Sequence, residues 1–503
     1  MIVKHLAHIG QALRSGNKVF ISKLIFNIFL LGVIVASIYT AFAIALVDRS
    51  LYLDEAMTAY SLSLRSLNDL TSEIFDWHQP APVIYLYIVK LITLIFGNTE
   101  FTLRIWSLVM YVSMLGCSYY ISKSVLKVKF PLLATAFLAN LTFLITMSNV
   151  FKAYMSDCFS VSFTLIIYHL YKERKLGKIA FTAIFSLLVW YSNPACFFMG
   201  TILAYEFVES LLKKDYTSTK YIIICGLAVS ISFLIYYFYW LKPEIDTGFM
   251  AEFWKDNKFP LIPTSMNDVA LARVATHHIC SYMSAYNQLI LWVVVAGGII
   301  SFFIERNRYT HIMYIGVLVC LLASMLGYYP IQDRLWLFIY PLFAILFFYY
   351  LNKLYSGNLI SGIVVSVLSV IIVLSGNGIS HYSDRQKIIN PSEEINPAID
   401  YVGAKIKENE KLFVYYPGIA GFCYRNNFDK TSFAGFDNNV VLGTELYVGE
   451  TDTEAIVNNA PIYVLIIHPP RLADLIGTLR ERGTLDLVFD ENNTHVYYYK
   501  NKE

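Results

Sequence analysis

Five short segments carry side chains that could do chemistry beside a membrane. In Leu51-Tyr52-Leu53-Asp54-Glu55-Ala56 two carboxylates stand side by side a few residues after a long apolar run. Such a pair is costly there unless solvated, paired or used. It is either a helix start, with Asp54 accepting backbone N–H bonds and Glu55 at the positive end of the dipole, or an acid–base centre. Phe151-Lys152-Ala153-Tyr154-Met155-Ser156-Asp157 adds a cation, a phenol and a third carboxylate; its plainer reading is an exposed Lys152–Asp157 ion pair, worth little energetically. Asp76-Trp77-His78-Gln79-Pro80-Ala81-Pro82 sets Trp77 and His78 at an interface before a proline-started helix, as an ordinary aromatic belt also would. Arg104 is a lone cation at the edge of an apolar helix, able to pair with a carboxylate or to snorkel. Arg334, in Tyr328-Tyr329-Pro330-Ile331-Gln332-Asp333-Arg334, opens a further apolar run. A planar permanent cation suits a phosphate there, although a salt bridge to Asp333 or a lipid headgroup is the plainer partner.

The elements that must position these residues are membrane helices. Of 503 residues, 56% are hydrophobic and 15% charged, against about 25% charged in a soluble domain, so the apolar surface exceeds what one aqueous core can hide. Apolar runs of spanning length recur at 24–47, 131–149, 221–241, 287–304, 311–328, 335–351 and 359–375, with shorter or paired runs between. About eleven spans are expected. The run 24–47 is too long for a signal-peptide core and is read as a retained first span. A net charge of +2 offers no basic field for nucleic acid, and the seven scattered cysteines form neither a disulfide framework nor a zinc site.

Lys and Arg clusters at 4–23, 123–129, 172–178, 213–220 and 306–308 mark the cytoplasmic side. By alternation 48–80, 150–157, the turn near Pro194, 242–285, 328–334 and everything beyond about 380 face the other side. Asp54, Glu55, Lys152, Tyr154, Asp157 and Arg334 then share a side. The stretch 81–122 has room for two spans where the charge pattern requires an odd number of crossings, so 81–97 is juxtamembrane or re-entrant, or else it crosses and another of the expected spans does not. After a polar, turn-rich stretch, residues 381–503 alternate helical patterns (395–408, 471–482) with short apolar strands (412–416, 462–467, 485–489, 496–499), which reads as a small α/β domain. The expected architecture is a mainly α polytopic membrane protein with a cytoplasmic N-terminus (1–23), a membrane domain (24–380) whose first outer loop is 48–80, and a C-terminal α/β domain (381–503).

Taken in this order, the segments resemble the GT-C glycosyltransferases, in particular bacterial relatives of protein O-mannosyltransferases and of lipid A aminoarabinose transferases. The resemblance rests on an acidic Asp54-Glu55 motif opening the first outer loop, His78-Gln79-Pro80 where the family has a His-Pro-Pro-like element, and Arg104. It continues with Lys152-Ala153-Tyr154 as an Arg/Lys-x-Tyr motif and with Asp333-Arg334 followed by Pro341. Gln79 interrupts the second motif, Lys152 stands where many relatives have Arg, and Asp333 holds a position that is often small.

The resemblance implies a multi-pass inner-membrane enzyme with a periplasmic C-terminal domain. It implies a donor sugar carried on polyprenyl phosphate and an acceptor hydroxyl on a glycan, lipid or protein. Asp54 is then the base, Glu55 its neighbour in the catalytic pair, Lys152 and Arg334 the phosphate ligands, Arg104 a partner for the acidic loop, and His78, Tyr154 and Asp157 further substrate contacts. A general acid is dispensable because a phosphate leaves as a stable anion. The sequence requires no cofactor; carboxylate and phosphate oxygens together suit Mg²⁺ or Mn²⁺ at Asp54. A flippase for lipid-linked sugars would place its polar groups near the midplane, whereas these lie at span ends on one side. A non-catalytic glycan-binding scaffold is the third reading.

Overall fold

The computed structural model describes residues 18–47, 49–260, 265–354, 359–379, 394–428, 439–444, 450–467 and 472–502. Lys4 and Arg14 of the basic N-terminal segment, and the polar stretch expected to open the C-terminal domain, lie outside them. The chain forms two compact units: one of 1–43, 107–149 and 153–383, the other of 44–106, 150–152 and 384–503.

Among the described residues six helices are long and apolar enough to cross a membrane: Ile21–Ala45, Glu100–Val125, Asn193–Leu212, Tyr216–Asp246, Asn287–Glu305 and Arg308–Met325. Three shorter apolar helices, Val83–Phe96, Lys178–Leu188 and Gly362–Leu374, accompany them. Val83–Phe96 is about 21 Å long at 1.5 Å per residue, short of a hydrocarbon core of about 30 Å; this is the stretch the charge pattern left open. Tyr216–Tyr236 turns a row of Ile and Leu outward, with Ile223, Ile224, Leu227, Ile231 and Ile235 all exposed. So large an apolar surface suits lipid rather than water. Ile339–Lys353 is the opposite case, buried along nearly its whole length, because its residues are apolar all round.

One expected span is not a single helix. Residues 131–149 split into Leu132–Ala139 and Thr142–Met147. At the break the Asn140 side-chain amide donates to Val373 O (2.8 Å), and its carbonyl oxygens accept from Gly378 N (2.7 Å) and Ile379 N (2.9 Å). Thr142 N donates to Gly376 O at 3.0 Å. A helix can be broken at membrane depth only where such partners satisfy the freed backbone groups. They come from more than 230 residues away, which hydropathy cannot register.

The charge alternation has a structural counterpart within the first unit. Three of the basic loops meet: Lys172 pairs with Glu206 at 2.9 Å, and Arg308 and Lys213 pair with Glu209 at 3.0 and 2.6 Å. Loops of the opposite class meet likewise, Ser192 Oγ donating to Asp157 (2.7 Å) and Ile331 N to Asn257 O (2.6 Å).

In the second unit, residues beyond 394 form a five-stranded sheet in the order β2-β1-β3-β5-β4, with β1 Lys411–Val414, β2 Val440–Leu442, β3 Ile462–Ile467, β4 Gly483–Glu491 and β5 Thr494–Asn501. β1 runs parallel to β2 and β3, while β5 is antiparallel to β3 and β4. Alternate residues serve the two faces: Leu412, Val414 and Leu465 pack on Ile395, Ile399 and Val402, whereas Phe413 and Val464 pack with Ile456, Leu475 and Leu479. Helix Ile419–Phe428, unforeseen in a sequence rich in Gly and Asn, is held by tertiary packing. A Cβ added at Gly421 would meet that of Ala56 at 3.9 Å, so this helix lies along helix Leu53–Leu64.

Candidate active site

Helix Leu53–Leu64 carries the acidic pair, and its two carboxylates have different surroundings. Glu55 reaches back to cap the helix start, Tyr52 N donating to its Oε2 at 3.0 Å. Both oxygens also face Arg104, whose Nε and Nη2 donate to Oε1 and Oε2 at 2.9 Å each, and Phe151 N donates to Oε1 at 2.6 Å. Arg104 donates in addition to the carbonyls of Ser50 (2.8 Å) and Arg49 (3.3 Å). Burial alone would push the Glu55 carboxyl up; the Arg104 charge and hydrogen bond, then Arg49 and the Phe151 N–H, outweigh it and hold it at about 2. Glu55 is fully buried and Arg104 is 3% exposed. The ion pair therefore braces the loop, with both charges buried and Arg104 in the place expected of a partner for the acidic loop. Asp54, one residue earlier, is half-buried.

Residues 150–152 supply the second component. Phe151 is buried and stacks on Tyr85 (ring centroids 6.1 Å apart), which fixes the position of the next residue. Lys152 Nζ donates to Thr58 Oγ1 at 2.9 Å and to Gln79 Oε1 at 2.8 Å. Thr58 follows Asp54 by four residues, so both occupy one face of the helix. The far end of that helix is fixed by Lys90, whose ammonium donates to Leu62 O at 2.9 Å, as cations at helix C-termini do.

Gln79 arrives through a strained turn. Trp77 and His78 both adopt left-handed backbone (φ +57° and +53°), a conformation that costs non-glycine residues of order 1–3 kcal/mol and persists only where neighbours impose it. Here Ser61 Oγ donates to Asp76 Oδ2 at 3.0 Å, Trp77 packs edge-on against Tyr60, and Arg65 donates to the carbonyls of Glu73 and Ile74 at 2.6 Å each. His78 is half-buried in this turn, its amide donating to Phe75 O at 3.1 Å. Neither Thr58 nor Gln79 is distinguished by type or spacing in the sequence; Gln79 shows there only as an interruption of a motif.

Tyr154, Asp157 and Arg334 belong to the other unit. Tyr154 and Asp157 lie in the first turn of helix Tyr154–Lys172, and Asp157 takes its hydrogen bond from Ser192, the N-cap of Asn193–Leu212. Arg334 N donates to Asp333 Oδ1 at 3.0 Å. The Tyr282 hydroxyl is pushed above its ordinary range by burial and by the Asp333 carboxylate beside it. Among the described residues no three His, Cys, Asp or Glu side chains converge.

The helical part and the C-terminal α/β domain together form a fold that solved structures share. Among solved structures it is similar to ArnT from Cupriavidus metallidurans bound to undecaprenyl phosphate, with a TM-score of 0.53 at 10% identity over 93% of this chain and 97% of that one. The same protein in the apo state gives a TM-score of 0.52 at 11% identity over the same shares. At such identity the likeness is one of fold. No family model and no curated protein matches the chain.

Proposed function

We propose that the protein is a glycosyltransferase that moves a sugar from a polyprenyl-phosphate carrier to an acceptor hydroxyl at the outer face of a bacterial inner membrane, with its C-terminal domain in the periplasm. The observation that carries this reading is the Lys152 ammonium held on Thr58, one turn beyond Asp54 on the same helix face. A carboxylate and a cation are thereby set within one turn of each other. The fold likeness to ArnT, which binds undecaprenyl phosphate in its solved complex, supports it. Asp54 takes the proton of the acceptor hydroxyl as its oxygen bonds to the anomeric carbon, and the bond from that carbon to the phosphate oxygen breaks. The lipid phosphate leaves as an anion whose growing charge Lys152 stabilises. The same reading assigns a donor contact to His78 and leaves the acceptor open among glycan, lipid and protein.

The test is transfer of radiolabelled sugar from polyprenyl-phosphate donors to a membrane extract by the purified chain. Native transfer that falls by about 10²-fold or more in Asp54→Asn, with melting unchanged, is the expected result. No transfer with any donor, together with donor movement across liposomes, would replace the transferase by a flippase.

A further inference from the structure

The site contains a residue that the family pattern does not account for. Gln79 interrupts the proline motif, yet its side-chain oxygen accepts from Lys152 Nζ at 2.8 Å while Thr58 accepts from the same ammonium at 2.9 Å. These contacts join two of the three stretches of one compact unit. We infer that Gln79 is a positioning residue, which together with Thr58 orients the Lys152 ammonium toward the donor phosphate without neutralising it. The inference rests on the reading of Lys152 as a phosphate ligand.

The chemistry depends on the type of acceptor. An ammonium has three N–H donors and no preferred plane, and a lysine side chain on its own samples many rotamers. Two neutral oxygens restrict its direction and add no negative charge of their own to compete with a phosphate for it. A carboxylate at position 79 would hold the ammonium equally well and would compete with the phosphate for it. A lost amide would release the ammonium to move. The strained backbone at Trp77 and His78 delivers the Gln79 side chain to this place, and strain held by surrounding contacts is characteristic of functional positions.

The experiment measures binding of undecaprenyl phosphate to the purified full-length chain in nanodiscs, alongside donor KM and kcat. Gln79→Ala should weaken binding and raise KM by about tenfold with little change in kcat. Gln79→Glu, nearly isosteric, should keep the native melting temperature and weaken binding at least as much. Thr58→Val gives an independent route to the same loss. Because Gln79 acts through Lys152, Gln79→Ala combined with Lys152→Ala should bind no worse than Lys152→Ala alone. Native-like binding by Gln79→Glu, or effects of Gln79→Ala and Lys152→Ala that add, would overturn the inference while leaving the phosphate role of Lys152 intact. Unchanged binding in Lys152→Ala would remove that role, and the inference with it.

Discussion

Adjacent residues on a helix point about 100° apart, so Asp54 and Glu55 cannot share surroundings. Glu55 turns inward to Arg104 and to the backbone amides of Tyr52 and Phe151, while Asp54 shares its face with Thr58. Their substitutions should therefore fail differently. Removing one member of a buried ion pair leaves the other charge uncompensated and costs about 3–5 kcal/mol, so Arg104→Ala should lower the melting temperature of the detergent-solubilised protein sharply. Asp54→Asn should leave melting unchanged and lose turnover. The pH dependence follows from the depressed Glu55 value. With the folded carboxyl at about 2 against an ordinary 4.5, its contribution is fully present above about 4.5 and is lost as pH falls toward 2. Thermal unfolding followed from pH 6 to pH 3 should show stability falling below about 4.5, with the step reduced in Glu55→Gln. The acidic motif was legible as such in the sequence. Which carboxylate is buried was not, because Arg104 and the Phe151 amide lie 49 and 96 residues away.

At the scale of elements, the interrupted helix at 132–147 depends on two glycines. A Cβ at Gly376 would stand 2.4 Å from Asn140 O, and one at Gly378 would stand 2.7 Å from it. Backbone atoms cannot swing aside as side chains do, so Gly376→Ala and Gly378→Ala should each destabilise by about 1–3 kcal/mol. Gly200 lies within helix Asn193–Leu212 and has nothing within 4 Å of its Cβ position. Gly200→Ala should be neutral or slightly stabilising there, and melting curves of the three variants provide the comparison. Helices with a strong period, such as 471–482 and 395–408, were foreseen from the sequence. Ile419–Phe428 and the three-residue β2 were not, since propensity argues against the first and the second is too short to carry an alternation.

At the scale of the molecule, the unit that holds Asp54 is assembled from three parts of the chain. Ser50, just ahead of the acidic helix, donates through its amide (2.9 Å) and hydroxyl (2.8 Å) to Glu394 Oε2. The same hydroxyl accepts from Asn396 N at 2.9 Å, and the Asn396 side chain donates to Glu100 at 3.1 Å. The C-terminal domain thus supports the base of the acidic loop. Glu394→Ala strips an acceptor from two Ser50 donors and should cost about 1–3 kcal/mol. It should also slow sugar transfer, because the helix that carries Asp54 loses part of its anchorage; melting and transfer assays on one preparation check both.

Hydropathy, charge alternation and motif order by themselves determined that the protein is a polytopic membrane protein with a C-terminal α/β domain, because these properties arise from residues near one another in sequence. Helix and strand periods repeat within a few residues, and the exclusion of charge from lipid acts on each run separately. Only the tertiary structure decided that Glu55 braces Arg104, that the Lys152 ammonium rests on Thr58 and Gln79, and that Gly376 and Gly378 close a broken helix. Each of those depends on groups dozens to hundreds of residues apart. Their value comes from desolvation and geometry, which exist only once the chain has folded.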